Sequence, residues 1–413
     1  MKHKVGMLSL GCPRNLVDSE NILGRLSMKG HKIVDMEKAD VAIVNTCAFI
    51  DEAKRESIDV ILDLIELKKS GKIKKIIVYG CLSQRYKEEL KKKLPEVDAF
   101  VGKVSLNHEV KRFPITPEHF AYLKICEGCI NSCSYCIIPK IKGKFVSLDE
   151  KSILDKVAKL SDEGVSELDI IGQDITGFGI DLAGKTSLVA ILKKIIKQAK
   201  NIHWIRLLYL HPDRIEIDLL KLIKDEPKLC KYIDLPVQHI NDRILKLMNR
   251  LTSRKKIECL VNKVRQMIPG AAIRTSIITG FPTETDKEFK ELFEFIKETK
   301  FERLGAFTYS AEEGTPAYAL KPRVSDQVQR DRLDQIMKLQ QRVSDENNRK
   351  LLGKTLEVLI DEKQEGSYLG RTQFDAPEVD GLVYVNSAKK LKHGDFVKVK
   401  ITDTLEYDLV GDA

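Results

Sequence analysis

The residues Cys129-Ile130-Asn131-Ser132-Cys133-Ser134-Tyr135-Cys136 place three thiols within eight positions. They follow an apolar stretch, Tyr122–Ile125, that predicts a β-strand, so the thiols belong to a loop beyond a strand. Thiolates are the preferred ligands of iron–sulfur clusters, and three of them bind three irons of a four-iron cube. The fourth iron is then open, which is typical of a catalytic site. Zinc is the competing metal, although no further Cys or His follows nearby at a suitable spacing.

Around this loop, residues 118–325 alternate apolar runs with helical patterns. Six such repeats predict a barrel or a (β/α)6 partial barrel, whose active site lies at the carboxyl ends of its strands. A proline-containing stretch, Phe113–Pro117, predicts the linker before this domain. The predicted strands are Tyr122–Ile125, Leu168–Ile171, Ile205–Leu210, Tyr232–Leu235, Arg274–Ile278 and Gly305–Tyr309, and the predicted helices include Asp149–Glu163, Ser187–Lys200, Arg254–Met267 and Thr285–Thr299.

The preceding residues, 1–115, predict a smaller, doubly wound α/β domain. It contains three short apolar runs, and a helical pattern follows each of them. The predicted strands are Val5–Leu10, Val41–Asn45 and Ile76–Tyr79, and the predicted helices are Asn15–Lys29, Glu52–Lys69 and Gln84–Lys93.

Three cysteines of this domain, Cys12, Cys47 and Cys81, each stand just beyond the end of a predicted strand. The carboxyl ends of parallel strands meet at one edge of a sheet, where ligands bind. We therefore expect the three thiols to converge on one point, although they lie about 35 residues apart. The alternative, three unrelated buried cysteines, explains each position singly but does not explain the repeated placement.

The end of the chain predicts a connecting helix over residues 326–352 and a small all-β module over 353–413. Its apolar runs are Leu356–Ile360, Leu382–Val385 and Phe396–Ile401. Eight basic against twelve acidic residues give this module a charge of −4. A module that grips RNA is normally basic, because phosphates dominate affinity. An acidic module is better suited to a basic protein.

Composition and charge limit the class of protein. Of 413 residues, 43% are hydrophobic and 32% are charged, which excludes a disordered or collagen-like chain. No run approaches the ~20 apolar residues of a membrane helix, so we expect no membrane partner. Nine cysteines without a secretory signal predict a reducing, cytoplasmic location. The net charge of +9 allows an RNA or ribosomal partner without requiring one.

The C-x3-C-x2-C spacing, with aromatic Tyr135 before the last cysteine, resembles the signature of the radical S-adenosylmethionine (SAM) enzymes. Together with the earlier three-cysteine α/β block and the final β-module, it resembles the methylthiotransferase family over essentially the whole chain. The segment Gly11–Glu20, with Pro13 directly after Cys12, is similar to the branch that modifies ribosomal protein S-twelve. The branch that modifies tRNA usually has Gln-Met there. The segment Asp375–Gly381 also looks like the ribosomal-protein branch.

The resemblance implies two four-iron clusters. Cys129, Cys133 and Cys136 would hold the cluster that binds SAM. A second cluster, whose open iron carries the sulfur to be transferred, would be held by Cys12, Cys47 and Cys81. The resemblance does not decide whether the sulfur bound to that iron is sulfide or polysulfide. The implied SAM-pocket residues are Tyr135, Gly172, Gln173, Asp174, Gln238, Gly280, Pro282 and Glu284. For the residues of this pocket other than cysteine, a structural role is the alternative, since glycine and proline shape turns and Asp174 can cap a helix.

The implied reaction replaces a C–H bond on the β-carbon of an aspartate in ribosomal protein S-twelve with C–SCH3. One SAM supplies the methyl group, and a second supplies the 5′-deoxyadenosyl radical that removes the hydrogen. The partners are then this basic ribosomal protein, free or in the small subunit, and a low-potential electron donor such as flavodoxin or ferredoxin. Two alternatives stay open: a tRNA adenosine methylthiotransferase, and a non-catalytic two-cluster electron carrier. A carrier usually ligates each cluster with four cysteines.

Some residues have a local interpretation. Lys142 stands where the family often has Arg, which puts the contacts there in doubt because lysine cannot form a bidentate guanidinium pair. Cys126 is close enough to the loop to be a fourth ligand, but we interpret it as an inward-facing residue of the preceding strand. We interpret Cys230 and Cys259 as core thiols. We also expect three acidic residues of the β-module to help hold a basic protein loop. They are Asp375, Glu378 and Asp380.

Overall fold

The computed structural model describes residues 2–102, 112–182 and 186–413. Met1 and residues 103–111, which the predicted N-terminal domain includes, lie outside the described residues. The chain forms two compact units. The first comprises Met1–Thr116, Cys126–Ser152 and Ser310–Tyr318, and the second comprises Pro117–Ile125, Ile153–Tyr309 and Ala319–Ala413. Within the described ranges, no helix combines the length and the apolar character that crossing a bilayer requires.

The first unit is built on a parallel sheet with helices between its strands. In chain order its elements are β1 (Lys4–Ser9), α1 (Pro13–Met28), β2 (Lys32–Ile33), β3 (Val41–Thr46), α2 (Asp51–Lys69), β4 (Lys75–Gly80), α3 (Cys81–Lys93) and β5 (Ala99–Val101). The strand order is β2-β1-β3-β4-β5, and β3, in the centre, is buried at every position. The predicted α/β fold is confirmed. The short edge strands β2 and β5 carry too few apolar residues to stand out in the sequence.

The central part of the chain alternates strands and helices. Its elements are β6 (Phe120–Lys124), β7 (Cys126–Glu127), α4 (Ile138–Lys142), β8 (Val146–Ser147), α5 (Glu150–Asp162), β9 (Glu167–Ile171), α6 (Leu188–Gln198), β10 (Trp204–Leu207), α7 (Ile217–Asp225), β11 (Tyr232–Asp234), α8 (Asp242–Leu247), α9 (Arg254–Met267), β12 (Ala272–Thr279), α10 (Asp286–Thr299) and β13 (Arg303–Thr308). Of these, β7, α4 and β8 belong to the first unit.

The remaining strands form the predicted partial barrel of the second unit. Two parallel three-stranded sheets, β10-β9-β6 and β11-β12-β13, follow one another. Ile205 of β10 forms a parallel bridge with Leu229, which lies three residues before β11. The six predicted strands are confirmed. Helices α7 and α8 were not among the predicted elements.

The second unit ends with a long helix and a small barrel. Helix α11 (Asp326–Arg349) leads to β14 (Thr355–Gln364), β15 (Ser367–Thr372), β16 (Val383–Asn386), β17 (Phe396–Thr404) and β18 (Leu409–Asp412). These five strands close in the order β14-β15-β16-β18-β17 around an apolar core. The predicted all-β module is confirmed, with β15 and β18 added.

Buried charges hold this β-module against the amino ends of the larger barrel's strands. The Asp375 carboxylate, 2% exposed, accepts a hydrogen bond from Arg303 Nε at 2.8 Å, where β13 begins. Asp380 accepts a hydrogen bond from the Tyr232 hydroxyl at 2.6 Å, where β11 begins, and lies 3.4 Å from Arg274 Nε. These carboxylates therefore compensate cations of the barrel inside the unit.

The same surface contains a second group of buried charges. The Arg371 side chain of the module and the Arg206 side chain of β10 both contact the Glu167 carboxylate, at 2.7 Å and 2.8 Å. All three side chains are 3% exposed or less. Because a buried charge is stable only when it is paired and hydrogen-bonded, this network fixes the module to the barrel.

These contacts correct one expectation from the sequence. Asp375 and Asp380 do not present a free acidic surface for a basic partner, because both are buried and bound to residues of the barrel. Glu378 is exposed and accepts a hydrogen bond from the Tyr122 hydroxyl at 3.3 Å. Part of the module's negative charge therefore neutralises buried arginines of the barrel within the same unit.

We predict that Asp375→Asn lowers the free energy of unfolding by about 3 kcal/mol, because it leaves the Arg303 guanidinium buried without its counter-charge. Urea unfolding followed by circular dichroism measures this change. Glu365→Gln, in an exposed turn of the same module, is the matched control and should leave stability unchanged. Equal stability of the two variants would contradict the role of this ion pair.

Candidate functional site

The first cysteine set, Cys12, Cys47 and Cys81, lies at one edge of the first sheet. The three residues follow β1, β3 and β4, which are neighbouring parallel strands. Cys12 is the N-cap residue of α1, and Cys81 is the first residue of α3. The amino end of a helix favours negative charge and therefore the thiolate form. The predicted placement of these cysteines beyond three strand ends is confirmed.

The thiols of this set act on one another electrostatically. Burial and the charges of Cys12 and Cys81 raise the pKa of Cys47 to about 11. Burial also raises the pKa of Cys81 above its usual value. At Cys12 burial acts in the same direction, but the Arg14 guanidinium, the Asn15 backbone N–H and the Lys142 charge outweigh it and lower the pKa. The surroundings therefore favour the thiolate form at Cys12 and the thiol form at Cys47 and Cys81.

The backbone around the first cysteine set is held closely. Gly11 has a φ of +86°, and a Cβ at this position would lie 2.7 Å from Cys47 Cβ and 3.0 Å from Cys47 Sγ. Glycine is therefore required if the two loops are to approach each other. Asn15 Nδ2 donates to the carbonyls of Leu10 and Thr46, at 3.1 Å and 3.2 Å, so one side chain joins both loops.

The loop cysteine set, Cys129, Cys133 and Cys136, lies in the same compact unit as the first set. Strands β7 and β8 close the base of the loop, and Gly128 passes so near the backbone that a Cβ there would lie 2.2 Å from the Lys144 carbonyl oxygen. Inside the loop, the Asn131 backbone N–H and side-chain amide donate to Cys129 Sγ at 3.4 Å and 3.6 Å. The loop is thus shaped by its own backbone.

Arg14 connects the two cysteine sets electrostatically. Its positive charge helps to lower the pKa of Cys12, and it opposes the rise that burial causes in the pKa of Cys47, Cys81 and, in the loop set, Cys136. Burial nevertheless raises the pKa of Cys136 to about 12. Arg14 is therefore a cation that acts on thiols of both sets within this unit.

These thiols fit iron–sulfur clusters better than single metal ions. Over the ranges that the structure describes, no three His, Cys, Asp or Glu side chains are placed to hold a metal ion. In a cluster each thiolate binds a separate iron, so the thiols need not meet at one point. Buried thiols, neighbouring cations and helix amino ends suit a group that carries negative charge.

Lys142, flagged in the sequence as a departure from the family pattern, is buried. It ends α4, the short helix that follows the loop cysteine set. Its Nζ atom lies 3.3 Å from Asp18 Oδ2, and both side chains are 7% exposed. Burial lowers the pKa of Lys142, but the charges of Asp18 and Cys81 outweigh it and hold the pKa above its usual value.

The residues predicted for a SAM pocket lie at several strand ends. Tyr135 belongs to the loop of the first unit, whereas the others belong to the second unit: Gly172, Gln173, Asp174, Gln238, Gly280, Pro282 and Glu284. Gly172 follows β9, and Gly280 follows β12. Gln238, beyond β11, has a φ of 69° and forms a bridge with Ile277.

Two of these side chains also have structural partners. Asp174 caps a short 3-10 turn by accepting the Thr176 backbone N–H at 3.0 Å, and it pairs with Arg214. Glu284 accepts the Gly280 N–H at 2.9 Å and contacts Arg332 at 2.8 Å. Burial raises the pKa of Glu284 to about 7, although Arg332 and the two backbone N–H groups oppose the change. Their role in SAM binding stays a prediction.

The remaining cysteines differ in exposure. Cys126 is buried as predicted, but it lies in β7 and not in the preceding strand, and Cys230 is buried, as predicted. Cys259 is exposed, so its prediction as a core thiol is wrong. In α9 the buried positions are Ile257, Val261 and Val264. Cys259 falls off that stripe, a signal that the helical spacing already contained.

Family models match the chain in three consecutive segments. The uncharacterized protein family UPF0004 matches residues 4–102, the Radical SAM superfamily matches 123–296, and the TRAM domain matches 352–413. The Radical SAM match implies a [4Fe–4S] cluster and SAM as cofactors.

Among solved structures, the chain is similar to the radical SAM methyltransferase TsrM from Kitasatospora setae. The identity is 12%, the alignment covers 76% of this chain and 75% of that one, and the TM-score is 0.54. The cobalamin-dependent SAM radical enzyme OxsB has 14% identity and a TM-score of 0.52, with 82% of this chain and 56% of that chain covered. At these identities the likeness shows the fold alone.

Curated relatives match over nearly the whole length. The chain is 47% identical to the ribosomal protein uS12 methylthiotransferase RimO of Clostridioides difficile (strain 630), covering 99% of this chain and 98% of that protein. It is 48% identical to the protein of the same name from Caldanaerobacter subterraneus subsp. tengcongensis, covering 99% of each. The predicted family and fold class are thereby confirmed, and the chain belongs to the family of ribosomal protein uS12 methylthiotransferases.

Proposed function

We propose that the protein replaces a β-carbon hydrogen of an aspartate in ribosomal protein uS12 with a methylthio group. The observation that carries this proposal is the presence of two three-cysteine sets in one compact unit, one beyond the ends of β1, β3 and β4 and one in the loop that β7 and β8 close. The relatives that cover 99% of the chain are named for this reaction.

An unactivated C–H bond cannot be broken by a side-chain acid or base, so cofactors must supply this chemistry. SAM and two [4Fe–4S] clusters, when bound, supply the methyl group, the sulfur carrier and the radical that removes the hydrogen. In our proposal the loop cysteine set holds the cluster that binds SAM, and the first cysteine set holds the other.

The chain itself contributes positioning, charge and exclusion of water. Cys12 and Cys81 lie at helix amino ends, which stabilise their thiolates. Cys47 and Cys81 are buried, which keeps solvent from the sulfur to be transferred. The Asn131 hydrogen bonds to Cys129 lower the charge density on that sulfur.

The finer assignments belong to the same proposal. SAM would contact Tyr135 and the strand-end residues named above for its pocket. Sulfide or polysulfide would be the sulfur on the second cluster, and a low-potential donor such as flavodoxin or ferredoxin would supply electrons. Residues 1–115 would form the domain of the second cluster, 118–325 the radical SAM domain, 326–352 the connecting helix and 353–413 the TRAM-like module.

We predict that reconstituted protein binds about eight iron atoms per chain, four in each cluster. Replacing all three cysteines of either set by alanine should remove about four, because each set holds one cluster. Iron analysis and electron paramagnetic resonance (EPR) measure the loss. Cys259→Ala, at an exposed cysteine outside both sets, is the control and should keep all the iron. Unchanged iron in the first-set variant would remove the second cluster from the proposal.

The reaction itself is tested by anaerobic incubation with SAM, dithionite, sulfide and either purified uS12 or tRNA. We expect mass spectrometry to show a methylthio group on one aspartate of uS12 and none on tRNA. Both triple-alanine variants should form no product, whereas Cys259→Ala should be active. Methylthiolated adenosine in tRNA would assign the protein to the tRNA branch. SAM cleavage without either product would show that the substrate assignment is wrong.

A further inference from the structure

The buried Lys142 reaches the first cysteine set from the segment that carries the loop cysteine set. Helix α4 begins two residues after Cys136, and Ile137 and Ile141 pack into the apolar core of the first sheet. This packing turns Lys142, at the end of the helix, toward Asp18 of α1. The lysine and its counter-charge are separated by 124 residues in the sequence.

The ammonium group and the Cys81 thiol share one hydrogen-bond acceptor. Lys142 Nζ lies 3.4 Å from Asn15 Oδ1, and Cys81 Sγ lies 3.7 Å from the same oxygen. Asn15 is 1% exposed, and its amide nitrogen donates to the loops that precede Cys12 and Cys47. The lysine charge is therefore one side chain away from the first cysteine set, in a region that water does not screen.

The ion pair does not cancel at the thiols. At Cys81 the Lys142 charge has a larger effect than the opposite charge of Asp18. At Cys12 the Lys142 charge acts as well. The Lys142 charge therefore acts on two thiols of the first cysteine set, Cys12 and Cys81, and Asp18 opposes it at Cys81.

We propose that Lys142 is a positioning residue that raises the reduction potential of a cluster held by Cys12, Cys47 and Cys81, and that Asp18 limits this effect. The inference rests on the proposed function, since it needs the second cluster. A nearby positive charge favours the reduced, more negative cluster, because cluster potentials follow local charge and hydrogen bonding. The alternative is a purely structural ion pair that holds α4 on the sheet.

The test uses the full chain with Cys129, Cys133 and Cys136 replaced by alanine, so that a single cluster contributes to the spectrum. Its potential is measured by anaerobic redox titration with EPR detection. Lys142→Met should lower the ratio of reduced to oxidised cluster about tenfold at a fixed applied potential, equal to ~59 mV for one electron. Asp18→Asn should shift the ratio in the opposite direction, because it removes the negative partner.

Three further variants separate charge from structure. Lys142→Arg keeps the positive charge, so the cluster of this variant should have nearly the same potential as the cluster of the protein that retains Lys142. Lys144→Met, at an exposed lysine two residues later, should leave the potential unchanged. The double variant Lys142→Met/Asp18→Asn should shift in the direction of Lys142→Met but by less, since the lysine has the larger effect on the thiols.

The outcomes distinguish the two proposals. If the parent protein binds no cluster, the second cluster of the proposed function is absent, and the role of Lys142 falls with it. If the cluster is present and Lys142→Met and Asp18→Asn shift its potential in the same direction or not at all, only the role of Lys142 is wrong. If Lys142→Met takes up no iron, the other two variants give the test. A higher potential in Asp18→Asn together with an unchanged potential in Lys142→Arg supports the role of Lys142, and an unchanged or lower potential in Asp18→Asn contradicts it.

Discussion

The carboxyl ends of parallel strands lie at a common edge of the sheet, and this constraint determines where the first cysteine set lies. Because β1, β3 and β4 are neighbours in one parallel sheet, the loops after them bring three distant cysteines together. The helices that begin in these loops direct their positive ends toward the thiols. Helix α4 packs on the same sheet, so the loop cysteine set is joined to this edge as well. The sheet topology thus determines the position of the cysteines, and neighbouring charged side chains determine the electrostatic environment of their thiols.

Charge compensation is the second theme of the structure, and it appears in both units. In the first unit, Lys142 and Arg14 act on the cysteine thiols. In the second unit, carboxylates of the β-module pair with arginines of the barrel, as Asp375 does with Arg303. The acidity of that module therefore has a structural use, and its net charge alone does not identify a partner. Recognition of the basic ribosomal protein has to come from surfaces other than these buried carboxylates.

The sequence predicted the features that depend on local pattern. Apolar runs located the central strands, and cysteines just beyond three of them identified the edge of the sheet where they meet. The sequence did not reveal contacts between residues that are far apart in the chain. The contact between Lys142 and Asp18 joins positions 124 residues apart, and no periodic pattern predicts it. The interpretation of Asp380 failed for the same reason, since its partner Tyr232 lies 148 residues earlier. The exposed Cys259, by contrast, could have been recognised from the buried stripe of its helix.

The central claim is that this protein removes a hydrogen from the β-carbon of an aspartate in uS12 and attaches a methylthio group there. It is tested most directly with uS12 whose aspartates carry deuterium at the β-carbon, incubated anaerobically with the reconstituted protein, SAM, dithionite and sulfide. The account predicts that deuterium appears in the 5′-deoxyadenosine released from SAM, and that the modified aspartate has lost one deuterium. Formation of 5′-deoxyadenosine without deuterium, while uS12 keeps its label and its mass, would contradict it.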